Sequence, residues 1–202
     1  MAPSERPSVR IDGHPLRRET MERHEFYILT GGPCSGKTTT AGELARMGYD
    51  TVPESARDVI AEEQGKEQPV LPWTDLLGFQ HKVFAKQMDL EARANGKPTI
   101  LDRSVIDNLA YCELGGLGMQ YDMLDYSVAS LLLGNYRKVF LLDPVPYKQD
   151  AERREDAQEA SRIHDAIGDI YKRLHCDIVK VPVMESATAR AEYIDRIIRE
   201  VG

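Results

Sequence analysis

Apolar residues in this chain recur in two rhythms, short β-prone runs and longer stretches of helical spacing, and the two alternate. The run EFYILT over 25–30 reads as a strand, and a Gly-rich turn after it leads into a helical pattern from Gly36 to Arg46. Asp50 to Pro53 reads as a second strand ending at Glu54, from which a helix runs to about Gln64. Gly65, Pro69 and Pro72 then break the pattern. Helical spacing resumes from Trp73 to Asn95, with Trp73, Leu76, Leu77, Val83 and Phe84 on one stripe. Asn95-Gly96-Lys97-Pro98 is its stop signal.

A third strand over 98–102 follows directly and closes on Asp102. Helices are expected over 105–113 and 121–133, separated by a turn carrying Gly115, Gly116 and Gly118. The fourth strand, 137–142, ends at Asp143, and Pro144 and Pro146 block its continuation. A charged stretch over 148–156 leads into a helix over 157–174, a fifth strand over 177–181, and a last helix capped by Ser186 and reaching about Arg199. Five strands alternating with helices predict an α/β domain: a parallel sheet covered on both faces, with ligand sites at the carboxyl ends of its strands. The chain divides into a mobile tail over 1–24 and one domain over 25–202, within the 202 residues of the sequence.

Composition narrows the functions available. The net charge of −7 argues against general affinity for nucleic acid or anionic membrane, either of which wants a surplus of Lys and Arg. Cys34, Cys112 and Cys176 are odd in number and far apart, which suits a reducing cytoplasm better than a disulfide framework. The histidines show no ligand pair at helical spacing, so no bound transition metal is expected. No apolar run reaches the roughly 20 residues a membrane span needs, and the acidic, Arg-rich first segment lacks the apolar stretch of a signal peptide.

The strongest chemical signal is Gly31-Gly32-Pro33-Cys34-Ser35-Gly36-Lys37-Thr38, followed by Thr39, set between a predicted strand and a predicted helix. Glycines at these places let the backbone turn tightly, so that consecutive N–H groups converge on phosphate oxygens at a helix N-terminus. In such a P-loop Lys37 contacts the β- and γ-phosphates and the Thr38 hydroxyl holds Mg²⁺. Cys34 reads as a small filler in the loop, though a helix N-terminus also lowers a thiol pKa.

Acids close several strands. Asp102 is the choice for the carboxylate that serves Mg²⁺ together with Thr38, with Asp143 as its rival, because Arg103 and Ser104 after Asp102 give a cluster suited to phosphoryl transfer. Glu54 ends the second strand where it can face the same crevice and take a proton from an acceptor hydroxyl; Arg57, one helical turn on, is alternatively its ion-pair partner. Gln80 interrupts the apolar stripe of the long helix, and a buried amide needs partners, a ligand ring or backbone.

The segments YILTGGPCSGKTTTAGELA, TVPESARDVI, LPWTDLLGFQ and ILDRSVIDNLAY together resemble the AAA-28 group of P-loop proteins, which is similar to the kinase domain that phosphorylates nicotinamide riboside and, more distantly, to deoxynucleoside kinases. The likeness runs over about residues 25–200. It implies a P-loop fold with strand order 2-3-1-4-5, Glu54 as base for the acceptor hydroxyl, Arg103 near that hydroxyl or the incoming phosphate, and Gln80 reading the acceptor ring. It also implies a small lid over about 144–156, whose Arg153 and Arg154 neutralise charge on the transferred group; read from the residues alone, the same stretch is alternatively a solvated helix of alternating charges.

The expected activity is Mg²⁺-dependent transfer of the γ-phosphate of ATP or GTP to a hydroxyl of a small nucleoside-like metabolite. Substrate contacts are assigned to Glu54, Arg57, Gln80 and Arg103. A homodimer is compatible with this reading. The alternative is a regulatory nucleotide switch that engages a protein or lipid partner; the sequence has no guanine-reading Asn-Lys-x-Asp segment, since Tyr147-Lys-Gln-Asp150 lacks its first residue.

Overall fold

The structure, a computed structural model, describes residues 24–145 and 157–201. The predicted tail up to residue 23 and most of the predicted lid, with Arg153 and Arg154, lie outside the described residues.

Five parallel strands, β1 (Glu25–Thr30), β2 (Asp50–Val52), β3 (Pro98–Asp102), β4 (Tyr136–Leu142) and β5 (Ile178–Val181), form one sheet in the order β2-β3-β1-β4-β5. The helices are α1 (Lys37–Arg46), α2 (Ser55–Glu63), α3 (Leu76–Ala92), α4 (Val105–Leu114), α5 (Tyr121–Leu132), α6 (Ala157–Arg173) and α7 (Ala187–Val201). The expected fold and strand order are those observed.

Successive side chains of a strand point to opposite faces, and β1 shows what that does to the core. Phe26 and Ile28 face a cluster that includes Leu101, Val139, Leu109, Ile167 and Tyr171, contributed in part by α4 and α6. Tyr27 and Leu29 face the other cluster, where Ile100, Phe140 and Leu142 meet Ala41 and Leu44 of α1 and Ala191, Ile194 and Ile198 of α7. Both faces of the sheet are therefore dry, as parallel sheets require. The central strand is consequently fixed from both sides, and the loop that follows it starts from a rigid point.

The register aligns the strand ends that carry chemistry. Leu29 of β1 lies opposite Asp102 of β3, and Val52 of β2 lies opposite Leu101. Thr30, Asp102 and the turn after β2 thus reach one edge of the sheet. Among the described residues, no helix is long and apolar enough to cross a membrane.

The long helix departs from the expected stripe. Asp75 caps α3, its carboxylate accepting from the Gly78 N–H at 2.9 Å, so Trp73 falls before the helix and is 47% exposed. The buried face is Phe79, Gln80, Val83, Phe84, Gln87 and Glu91, and Leu77 looks outward. Val83 and Phe84 of the expected stripe are on that face, whereas Trp73 lies before the helix and Leu76 is only partly buried. Ser186 does cap α7, its Oγ accepting from the Ala189 N–H at 3.0 Å.

Candidate functional site

Between β1 and α1 the chain makes a tight loop whose backbone is readable residue by residue. Gly31 has φ of 131°, and a Cβ there would lie 2.7 Å from the Leu142 carbonyl oxygen, so this position accepts only glycine without rearrangement. Gly36, at φ of 76°, turns the chain into α1. Cys34 takes a left-handed φ of 58° and is buried, its carbonyl accepting from the Val145 N–H at 2.9 Å. The Ser35 hydroxyl donates to the Gly32 carbonyl at 3.0 Å.

Lys37 folds back over this loop. Its ammonium donates to the carbonyls of Gly31 and Gly32 at 3.0 and 2.9 Å and to Ser35 Oγ at 3.1 Å. Burial, reinforced by the nearby Arg103 guanidinium, lowers the Lys37 pKa to about 8, against the opposing pull of Glu54, Asp102 and Asp107. The ammonium is thus held where charge is costly, which is the electrostatic state an anion would relieve.

Thr38 and Asp102, chosen from sequence as the metal pair, meet: Thr38 Oγ1 donates to Asp102 Oδ2 at 2.7 Å. Asp102 is buried, and its Oδ1 has no hydrogen-bond partner among the described residues. Burial and the neighbouring Glu54 carboxylate raise its pKa. A buried carboxylate oxygen without a donor, beside a hydroxyl at the start of a P-loop helix, is a donor set of hard oxygens and fits Mg²⁺.

Arg103, next along, has φ of 77°, an unfavourable conformation for an arginine. The turn aims the guanidinium back at the loop. Its Nε donates to Glu54 Oε1 at 2.9 Å, and its Nη1 to Asp107 Oδ1 at 3.0 Å and to the Gly31 carbonyl at 3.3 Å. It also lies 5.6 Å from the centre of the Tyr111 ring. Burial opposes its charge, but Tyr111, Glu54 and Asp107 more than restore it.

Glu54 sits at the N-cap position of α2, and both its oxygens are engaged, the second by Arg57 Nε at 3.1 Å. Burial would raise its pKa, yet Arg103, Lys37 and Arg57 outweigh that and hold it at about 2. Glu54 is therefore firmly ionised.

Asp107 is the residue the sequence reading missed. Oδ1 accepts from Thr30 Oγ1 at 2.7 Å as well as from Arg103, while Oδ2 accepts from the Ser104 N–H at 3.1 Å and the Tyr171 hydroxyl at 2.7 Å. It thereby ties β1, the Asp102-Arg103-Ser104 turn and α6 together. A signal was available, because Ser104 and Asp107 form a capping box at the start of α4. His164 of α6 carried no such signal; its Nδ1 accepts from the Gly32 N–H at 3.2 Å, and burial lowers its pKa.

A cavity of about 870 Å³ opens from the loop. Its lining takes in Pro33 to Thr39 of the loop and the start of α1, the charged side chains Glu54, Arg57 and Arg103, and Trp73, Phe79, Gln80 and Tyr111. Gln80 is buried and accepts through Oε1 from Asn108 Nδ2 at 2.9 Å, so its partner is a second amide on α4 rather than backbone alone. Asp143 is not on this cavity wall; its carbonyl is held by Arg190 instead.

The AAA-28 family model, described as an AAA domain, matches residues 26–190. The chain belongs to the AAA-28 family. Among solved structures, a NadR protein in complex with NR matches at 18% identity with a TM-score of 0.60, over 89% of this chain and 52% of that one. A NadR protein in complex with NAD and AMP-PNP matches at 16% identity and a TM-score of 0.58, over 89% of this chain and 50% of that one. Shikimate kinase from Aquifex aeolicus vf5 matches at 18% identity and a TM-score of 0.53, over 86% of this chain and 96% of that one. This AAA-28 chain spans about half the length of the NadR structures and shares its fold with P-loop kinases. No curated protein sequence matches it.

Proposed function

We propose that this protein is a small-molecule kinase that transfers the γ-phosphoryl group of ATP or GTP to a hydroxyl of a ring-bearing, nucleoside-like metabolite. The observation that carries the reading is one cavity of about 870 Å³ whose lining unites the Lys37 and Thr38 cradle, Glu54 and Arg103, and the aromatic and amide side chains Trp73, Phe79, Gln80 and Tyr111. A nucleotide switch needs the first part only. Room for a second small molecule in the same cavity as the cradle, with a carboxylate and a guanidinium on its wall, favours transfer. The NR-bound and AMP-PNP-bound NadR structures and shikimate kinase, all of this fold, support the same class.

In this mechanism the acceptor oxygen bonds to the γ-phosphorus, the bond from that phosphorus to the β,γ-bridging oxygen breaks, and the hydroxyl proton leaves to a carboxylate or phosphate oxygen. Lys37 and Arg103 face the charge that develops on the transferred group. Glu54 accepts a hydrogen bond from the acceptor hydroxyl and so aims it. With a pKa of about 2 it is a weak base while both guanidinium groups hold it, and it gains basicity as Arg103 turns toward phosphate. Thr38 and Asp102 would hold Mg²⁺, which neutralises charge on the β- and γ-phosphates. Arg153 and Arg154, in the predicted lid, would add to that neutralisation.

A thermal-shift matrix tests the reading, with ATP or GTP and Mg²⁺ in one dimension and nucleosides, other ring-bearing alcohols and shikimate in the other. A true donor and acceptor pair stabilises more than either alone, and mass spectrometry of the same mixtures shows a phosphorylated acceptor. If no acceptor is phosphorylated and a protein partner alone stimulates hydrolysis, the switch reading replaces this one.

A further inference from the structure

Arg190, in α7, is far from the P-loop in sequence and is only 3% exposed. Its guanidinium reaches out of the helix and donates to three backbone carbonyls: Nη1 to Ser35 at 2.6 Å, Nη2 to Asp143 at 2.8 Å and Nε to Pro182 at 2.9 Å. Those carbonyls belong to the P-loop, to the segment after β4 and to the segment after β5. A buried guanidinium that donates to neutral carbonyls is costly to keep, and burial lowers its pKa against the opposing pull of the Asp143 carboxylate. Its placement acquires a purpose from the loop it holds.

The Ser35–Gly36 peptide is trans, since the described residues contain no cis peptide bond. A planar trans peptide points its C=O and its N–H in opposite directions. The Ser35 carbonyl is drawn to Arg190, so the Gly36 N–H is turned to the opposite side of the loop. Gly36 and Lys37 line the cavity, and glycine at 36 takes its φ of 76° without steric cost, so its conformation alone does not fix the peptide plane before it. Without a donor behind Ser35 this peptide plane is free to rotate and to present its carbonyl to an anion.

We propose that Arg190 is a positioning residue of the nucleotide site: it anchors the Ser35 carbonyl behind the P-loop and so fixes the Gly36 N–H for a phosphate oxygen. The inference rests on the reading of Gly31 to Thr38 as a phosphate cradle, and it concerns the affinity of that cradle rather than the acceptor. A lysine at 190 supplies charge but lacks the planar fork that reaches three carbonyls at once.

The test uses calorimetric titration of the full chain with two probes, inorganic tripolyphosphate and AMP-PNP, each with Mg²⁺, alongside the melting temperature. R190Q is expected to weaken both probes by a similar factor of about tenfold, the loss of one oriented charge-assisted hydrogen bond. R190K should fall between R190Q and the natural protein, and R196Q, at an exposed position of α7, should bind as the natural protein does. If R190Q does not fold, R190K decides by itself. Should the arginine variants melt lower yet bind tripolyphosphate within about twofold of the natural protein, Arg190 is only a fold anchor and the proposal is overturned. Natural protein that binds neither probe overturns the phosphate-cradle reading, and this inference with it.

Discussion

Thr38 Oγ1 donates to Asp102 Oδ2 at 2.7 Å, joining the first turn of α1 to the end of β3 across 64 positions of sequence. The other oxygen of Asp102 is buried and without a donor among the described residues. Asp102→Asn keeps the shape but puts an amide donor where a cation is expected. It should lower the phosphoryl-transfer or hydrolysis rate by about 100-fold or more, while nucleotide binding measured in EDTA changes little. Equal losses with and without Mg²⁺ would remove Asp102 from metal binding.

Lys37 should make nucleotide binding a proton-linked event. Its pKa of about 8 in the free protein rises when phosphate oxygens arrive, so binding takes up protons between about pH 8 and pH 10. Calorimetry at pH 8.5 in buffers of different ionisation enthalpy measures that uptake. The stability effect has the opposite character to that of a paired lysine. Because the folded pKa lies below the ordinary 10.5, burying the charged form costs stability below pH 8, and the cost is relieved as pH rises from 8 toward 10.5.

Glu54 should be silent in the acid limb of a pH profile. A carboxylate held at about 2 stays ionised down to the limit of folding, and its stabilising effect, present above its ordinary 4.5, is lost only as pH falls through about 2. Glu54→Gln should lower phosphorylation of an identified acceptor by roughly 10²-fold with nucleotide affinity nearly unchanged. Rates that remain natural in that variant would clear Glu54 of any role with the acceptor hydroxyl.

A second buried carboxylate behaves in the reverse way. Glu91 accepts from Gln87 Nε2 at 2.9 Å, from Tyr126 at 3.0 Å and from Tyr136 at 2.9 Å, and burial, against those bonds, pushes its pKa up to about 7. A folded pKa above the ordinary 4.5 means that the native state binds the extra proton. Stability should therefore fall as pH rises from about 4.5 to about 7. Glu91→Gln should flatten that slope in urea melts taken across the same range, and a slope that survives the substitution assigns it elsewhere.

The cradle was legible in the sequence because every residue of it, from Gly31 to Thr38, is local and the flanking strand and helix are adjacent. The sheet order came with the resemblance, and the meeting of Thr38 with Asp102 followed from the first turn of α1 and the end of β3 reaching one edge of the sheet. What escaped was held by distant contacts. Gly32 meets His164 across 132 positions and Ser35 meets Arg190 across 155, and neither partner has a pattern of its own to announce it. Trp73 was placed on the wrong side of a helix start because hydrophobic spacing outweighed the capping carboxylate of Asp75. Asp107 was readable from its capping box with Ser104, but not the further bonds to Thr30 and Tyr171 that make it a junction.

The left-handed φ of 77° at Arg103 sets side chain against backbone. Glycine tolerates that conformation and alanine does not, so Arg103→Gly should unfold at higher denaturant than Arg103→Ala, by about 1 kcal/mol. Neither would retain the guanidinium that touches Glu54, Asp107 and the Gly31 carbonyl. The difference between the two variants reads the backbone cost at position 103, and their common loss relative to the natural protein reads the ion pairs with Glu54 and Asp107.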